Sequence, residues 1–160
     1  MFEDIIEALI AGDVRFVVIG GVAATIQGSV RFTNDLDICY ESSAENVDRL
    51  VSVLNPWQPY LRGVDPGLPF IFDARALVTT PIMTLTTSRG NLDLLDRVPG
   101  LGDYPRVLAA SEAVTLGRIE FRSLRLDALI ASKRATGRPK DTEHLIELEA
   151  IRAMRRRKRT

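Results

Sequence analysis

A chain of 160 residues, 46% hydrophobic and 26% charged, is long enough to bury a core and too apolar to remain disordered. A lone cysteine, Cys39, excludes a disulfide framework and a cysteine-based metal site and suits a reducing cytoplasm. No signal-peptide pattern and no run of membrane-spanning length is present, so no membrane partner is expected.

In chain order, Phe2, Ile5, Ile6 and Leu9 recur at helical spacing, with Gly12 as a stop. Arg15 to Ile19 reads as a buried strand broken by Gly20-Gly21, and Val22 to Gln27 as a short helix closed by Gly28. Leu36 to Tyr40 is a second strand. Ser43 caps a helix reaching about Leu54, with Val47, Leu50, Val51 and Leu54 inward. Asn55 to Pro69 holds four of the eight prolines and predicts a long irregular connection of the functional kind. Met83 to Thr87 and Asn91 to Leu95 predict a hairpin across Ser88-Arg89-Gly90. Strand-like stretches follow near Arg106 to Ala109 and Arg118 to Phe121. Asp127 to Ala135 predicts a helix ended by Gly137, and Pro139 suits the first position of a last helix.

The formal net charge of +0 is unevenly spread. Residues 1–149 carry 15 bases against 21 acids, whereas Arg152, Arg155, Arg156, Arg157, Lys158 and Arg159 follow the last acid, Glu149. We therefore expect a single domain over 1–151 and a basic C-terminal tail over 152–160. Such a tail either attracts a polyanion or stays solvated. The expected architecture is α+β, a small mixed β-sheet with helices packed on it.

Chemistry concentrates in Val17 to Glu41. Asp35 and Asp37, one residue apart on a strand, face the same side, while Leu36 and Ile38 face the core. Two neighbouring carboxylates repel, and a divalent cation relieves that repulsion; magnesium takes oxygen ligands from one or two carboxylates together with substrate phosphates. Spacing alone reads equally well as a solvated strand end. Gly20-Gly21, between a strand and a helix, leaves backbone amides open to a phosphate, although most such pairs are only turns. Asp93 alternates with Leu92 and Leu94 in the same fashion; if its strand neighbours the first, three carboxylates share a face and Asp93 can take a proton from an incoming hydroxyl. Asp96 falls on the other side and is read as the start of a turn.

Taken together, Gly20-Gly21, the run Arg31-Phe32-Thr33-Asn34-Asp35-Leu36-Asp37, Asp93, and the segment from Leu129 to Asp141 containing Lys133, Arg138, Lys140 and Asp141 resemble the DNA polymerase β-like nucleotidyltransferase superfamily. Within it the pattern is most similar to the AbiEii/minimal nucleotidyltransferase group, found as toxins of toxin–antitoxin pairs. The resemblance implies the polymerase β-like nucleotidyltransferase fold, with magnesium (or manganese in its place) held by Asp35, Asp37 and Asp93. It implies a nucleotide contacted by Gly20, Gly21, Arg31, Thr33 and Lys133. It also places Asp141 in the functional set beside Asp35, Asp37, Asp93 and Lys133, and suggests an antitoxin protein as partner. Lys133 otherwise reads as a solvated helix lysine, Asp141 as a charge complementing a helix start, and Arg31 as pairing with phosphate or with the aspartates. His144, the sole histidine, is expected at the surface, and Cys39 in packing. Trp57 and Tyr60 either stack on a base or pin their loop.

The expected reaction is attack of an acceptor hydroxyl, on an RNA end such as tRNA or on a protein side chain, on the α-phosphate of a nucleoside triphosphate. The rival is a non-catalytic nucleotide- or RNA-binding module on the same fold. An Asp-x-Asp phosphohydrolase is rejected, because Ile38, Cys39 and Tyr40 continue the strand where that chemistry needs a loop.

Overall fold

The structure, a computed structural model, describes residues 2–159; Met1 and Thr160, the ends of the expected domain and tail, lie outside them. Helix α1 (Phe2–Ala11) buries Ile5, Ile6 and Leu9. The wholly buried strand β1 (Phe16–Ile19) leads directly into α2 (Gly20–Ile26), so both glycines belong to the helix's first turn and not to a turn ahead of it. Strand β2 (Asp35–Tyr40) returns antiparallel to β1. Helix α3 (Ala44–Leu54) is capped as expected, the Ser43 side chain accepting from the Asn46 amide.

The connection over 55–69 is less irregular than its prolines predict. It forms a 3-10 turn at Asn55–Trp57 and a two-residue strand, β3 (Tyr60–Leu61). Trp57 is buried with Arg89 stacked 4.8 Å above its ring, so it pins the loop. After α4 (Ala74–Thr79), capped by Asp73, the expected hairpin appears as β4 (Ile82–Thr87) and β5 (Gly90–Leu95). A small ribbon, β6 (Arg97–Val98) with β7 (Gly102–Asp103), follows.

The stretch around Arg106 to Ala109 is α5 (Tyr104–Ala109), not a strand. Pro105 in its first turn is pre-set for a helix and loses no bond there. The strand that pairs in this region is β8 (Ser111–Leu116), with β9 (Ile119–Leu124) as its antiparallel partner. Helix α6 (Leu126–Thr136) ends at Gly137 in the left-handed region, φ +58°. Pro139 opens a separate 3-10 turn, Pro139–Asp141, before α7 (Thr142–Lys158), which carries the basic residues on helix almost to the end of the chain.

The main sheet has seven strands in the order β3-β4-β5-β2-β1-β9-β8, with β2/β5 and β1/β9 parallel and its other pairs antiparallel. This is the expected α+β architecture. Leu36, Ile38, Leu92 and Leu94, at the centre, are fully buried on the inward side. Burial of one such side chain contributes about 1.5–3 kcal/mol, which fixes the register, because a slip by one residue would exchange leucines for aspartates. Helix α6 packs on α2 and α7, and α1 on α3. Among the described residues no helix is long and apolar enough to cross a membrane.

Candidate active site

The parallel pairing of β2 with β5 sets Asp37 opposite Asp93 and Asp35 opposite Asn91. With a period of two, Asp35, Asp37 and Asp93 therefore share one face. Thr84 on β4 stands across from Asp93, and Ile19 at the end of β1 across from Asp37. The chain turns into α2 right beside this carboxylate. A Cβ on Gly20 would lie 2.0 Å from Asp37 Oδ2, and Gly20 has φ +63°, so no side chain fits there. Gly21 is nearly as confined: a Cβ would meet Thr33 Oγ1 at 2.7 Å. Thr33 in turn donates to the Asp35 carbonyl, tying the approach loop to the strand.

Asp37 is electrostatically uncomfortable. Burial, then the neighbouring Asp93 and Asp35, raises its pKa to about 8, opposed in part by Lys133. Its Oδ1 is buried with no hydrogen-bond partner. An orphaned carboxylate oxygen beside two further carboxylates, with a glycine making room, fits a hard divalent cation. As they stand, no group of three or more His, Cys, Asp or Glu side chains among the described residues closes around a common metal position. Arg62, directly after β3, stands among them instead. Its guanidinium pairs closely with Asp93 and lies 3.4 Å from Asp35 Oδ1. Sequence reasoning missed Arg62; its one sign was a place in the proline-rich connection flagged as functional.

A cleft of about 600 Å³ opens from this face, walled by Gly20, Asp37, Thr84 and Asp93 on one side and by Ser132, Lys133 and Arg138 on the other. Lys133 also borders a smaller cavity of about 290 Å³, with Gly21, Arg31, Thr33 and His144. It is thus not a solvated helix lysine: its Nζ lies 3.2 Å from Asp141 Oδ1. Asp141 is 6% exposed and also accepts from Arg138 Nε at 2.7 Å and Thr136 Oγ1 at 3.2 Å. Burial works to raise its pKa, but Arg138 and Lys133 prevail and hold it below the usual carboxylate value. It sits just before α7 yet makes no side-chain capping bond, so its role is to hold Lys133 and Arg138.

Other expectations need correction. Arg31 does not reach the aspartates; it faces Glu143 at 3.7 Å, which leaves it beside the smaller cavity. His144 is buried, not superficial, and burial together with Lys133 and Arg31 lowers its pKa. His144 in the first turn of α7 faces inward while Thr142 and Glu143 stay exposed; Asp141 just before it and Glu147 one turn on are both tied to the body, Glu147 by Ser29 and the Val30 amide. Asp96 follows β5, and its Oδ1 is buried without a partner. Cys39 is packed as expected, its thiol pushed up to about 12 chiefly by burial.

No protein-family profile matches the chain, and no curated protein matches it in sequence. Among solved structures it is similar to a Thermotoga maritima protein that has been proposed to be a nucleotidyltransferase. The superposition covers 91% of this chain and 88% of that one, with a TM-score of 0.57 and 18% identity. The two chains share a fold. At this identity the likeness extends to the arrangement of strands and helices, and the assignment of chemistry rests on the residues above.

Proposed function

We propose that the chain is a magnesium-dependent nucleotidyltransferase that moves a nucleoside monophosphate from a nucleoside triphosphate to an acceptor hydroxyl. The observation that carries this reading is the shared face of Asp35, Asp37 and Asp93, with Gly20 pressed against Asp37 Oδ2 and the other oxygen of that carboxylate, Oδ1, buried without a partner. Asp35, Asp37 and Asp93 are the residues that would hold magnesium, with manganese as its substitute. Bound there, the ion supplies positive charge to the triphosphate and to the attacking oxygen.

The remaining work belongs to the chain. The backbone at Gly20 and Gly21 opens α2 toward the triphosphate, with Arg31 and Thr33 beside it. A bond forms between the acceptor oxygen and the α-phosphorus, while the bond from that phosphorus to the bridging oxygen breaks. Pyrophosphate leaves with the electron pair. Asp93 takes the hydroxyl proton on its carboxylate, and Lys133, held by Asp141, meets the charge developing on the leaving group. Positioning and charge supply the acceleration, with no covalent intermediate.

The acceptor we favour is an RNA end such as tRNA. Arg125, Arg152, Arg155, Arg156 and Arg159 line a third cleft, of about 170 Å³, at the far end of α6, and outnumber the acids Glu112 and Asp127 in the same wall, which suits it to phosphate. A protein side chain is the other acceptor. The resemblance to the toxin-like group adds a cytoplasmic setting and an antitoxin partner to the proposal. A non-catalytic binding module on the same fold remains as a second reading, favoured by Arg62 standing among the carboxylates.

The test is to incubate the protein with magnesium, each labelled nucleoside triphosphate, total tRNA and cell lysate, alongside Asp37→Ala. Label on RNA selects the first acceptor, and label on protein the second. No label under any condition, or equal label with Asp37→Ala, overturns the enzymatic reading.

A further inference from the structure

Arg62 has a firmly held backbone and a mobile class of side chain. Its amide donates to the Thr84 carbonyl at 3.0 Å, extending the β3–β4 pairing by one residue. The Tyr60 hydroxyl, within hydrogen-bond reach of the Asp65 and Leu68 carbonyls, closes the loop that follows. The guanidinium therefore cannot leave by backbone displacement, only by rotation about its own side-chain bonds. Its present contacts are the Asp93 carboxylate, Asp35 Oδ1 and the Leu85 carbonyl at 3.3 Å. Arg62 reaches two of the three carboxylates and leaves the third, Asp37, with its buried Oδ1 unsatisfied.

We propose that Arg62 is a built-in counter-ion which occupies the Asp35–Asp93 pair in the metal-free protein, competes with the divalent cation for those oxygens, and is turned out into the cleft when the cation binds. The inference rests on the metal reading above. Physically, a guanidinium and a divalent ion are alternatives on the same oxygens: both satisfy carboxylate charge, and they repel one another at contact distance. One positive charge cannot neutralise both the Asp35 and the Asp93 carboxylates, so the arrangement remains receptive to an ion of higher charge. Because the backbone of Arg62 stays paired to β4, the displaced guanidinium remains within side-chain reach of the cleft. The anion it meets there is a phosphate of the incoming nucleotide, for which a planar fork of donors is well suited. Arg62 is in this sense a positioning residue: it offsets the repulsion between the carboxylates without metal, and it becomes available only once the metal is in place.

The experiment measures manganese binding to the nucleotide-free protein by electron paramagnetic resonance and by calorimetry, for the natural chain, Arg62→Ala and Arg62→Gln. Removal of the competing charge is expected to tighten manganese binding at least about tenfold in both variants. In the absence of metal both variants should melt at lower temperature than the natural chain, and saturating manganese should narrow that difference. Equal or weaker manganese affinity in the variants overturns the counter-ion role while leaving the metal site standing. Failure of all three proteins to bind manganese, with natural-like circular dichroism, overturns the metal reading and this inference together. The Arg62→Gln arm guards against an alanine variant that fails to fold, since it keeps much of the length of the side chain and a donor for the Leu85 carbonyl.

Discussion

Gly20 and Asp37 approach one another more closely than any side chain on the first would permit, with the projected Cβ 2.0 Å from Asp37 Oδ2. The end of β1 and the middle of β2 are thereby locked together at the carboxylate that matters most. Gly20→Ala must either turn that carboxylate away or shift the first turn of α2, and it carries a left-handed backbone cost of about 1 kcal/mol besides. We expect loss of nucleotidyl transfer of at least about 100-fold, since misplacement of a reacting group by an ångström has that scale. Thermal melting should show a loss of roughly 1–3 kcal/mol. Transfer at the natural rate would show that the contact has no functional meaning.

Asp37 is predicted to oppose stability at neutral pH in the metal-free protein. Its pKa in the folded chain, about 8, lies above the ordinary value of 3.8, so the folded state holds its proton more tightly. The corresponding stabilisation is complete below about pH 4 and is lost as pH rises through about 8. Asp37→Asn, neutral throughout, should melt close to the natural protein near pH 4 and progressively above it as pH climbs to 8, then level off. Magnesium should reverse the order by stabilising only the natural chain. Melting curves that run parallel at every pH would refute the buried, mutually repelling carboxylates.

Part of the shared face of those carboxylates is legible in the amino-acid sequence itself. Asp35 and Asp37 share a face by their two-residue period alone, and Asp93 alternates with leucines in the same way. That Asp93 joins them rests on the pairing of β2 with β5, which no local pattern gives. Ser43, Gly137 and the Gly90 turn are legible for a related reason: capping and turn chemistry act over a few residues. What the sequence hides is long-range or double-valued. Arg62, next to β3, meets Asp93 on β5 across the intervening strand β4, and no local pattern announces that. His144 reads as superficial on a polar helix, yet Glu147 and Asp141, each bound to distant partners, turn its face inward. Around Arg106 a short apolar run serves strand and helix equally, and Pro105 in the first turn decides it.

Asp141 should prove costlier to remove than the lysine it holds. Asp141→Ala leaves Arg138, Thr136 and the largely buried Lys133 without their common acceptor, so we expect a loss of about 3 kcal/mol in urea unfolding. Lys133→Ala should lose less, because Asp141 keeps Arg138. Since the pKa of Asp141 is lowered on folding, its contribution is present above about pH 4 and disappears as acid passes the folded value; the gap between natural chain and Asp141→Asn should close accordingly. In transfer assays Lys133→Ala should slow turnover directly. A larger stability loss for Lys133→Ala than for Asp141→Ala would invert this assignment.

Cys39 offers a check on the core beneath the site. Buried, with its thiol pushed up to about 12, it should resist an aromatic disulfide reagent at pH 8 in the native protein and react promptly in denaturant. Reaction at the same rate in both conditions would mean that β2, and with it the carboxylate pair, is not held as described.

The basic end of α7 carries the prediction that separates an RNA acceptor from a protein one. Arg152 pairs with Asp127 and Arg155 with Gln27, so both help to fasten the helix and are poor choices for mutation. Arg156 and Arg159 line the same cleft, and their side chains have no ion pair among the described residues. If RNA phosphates settle there, Arg156→Ala and Arg159→Ala should each weaken tRNA binding and lower the slope of log affinity against log salt by about 1, without shifting the melting temperature. Binding of nucleoside triphosphate alone should be unaffected, because Arg156 and Arg159 lie at the opposite end of α6 from Lys133. An unchanged salt slope in the doubly substituted protein would move the acceptor away from RNA and toward a protein side chain.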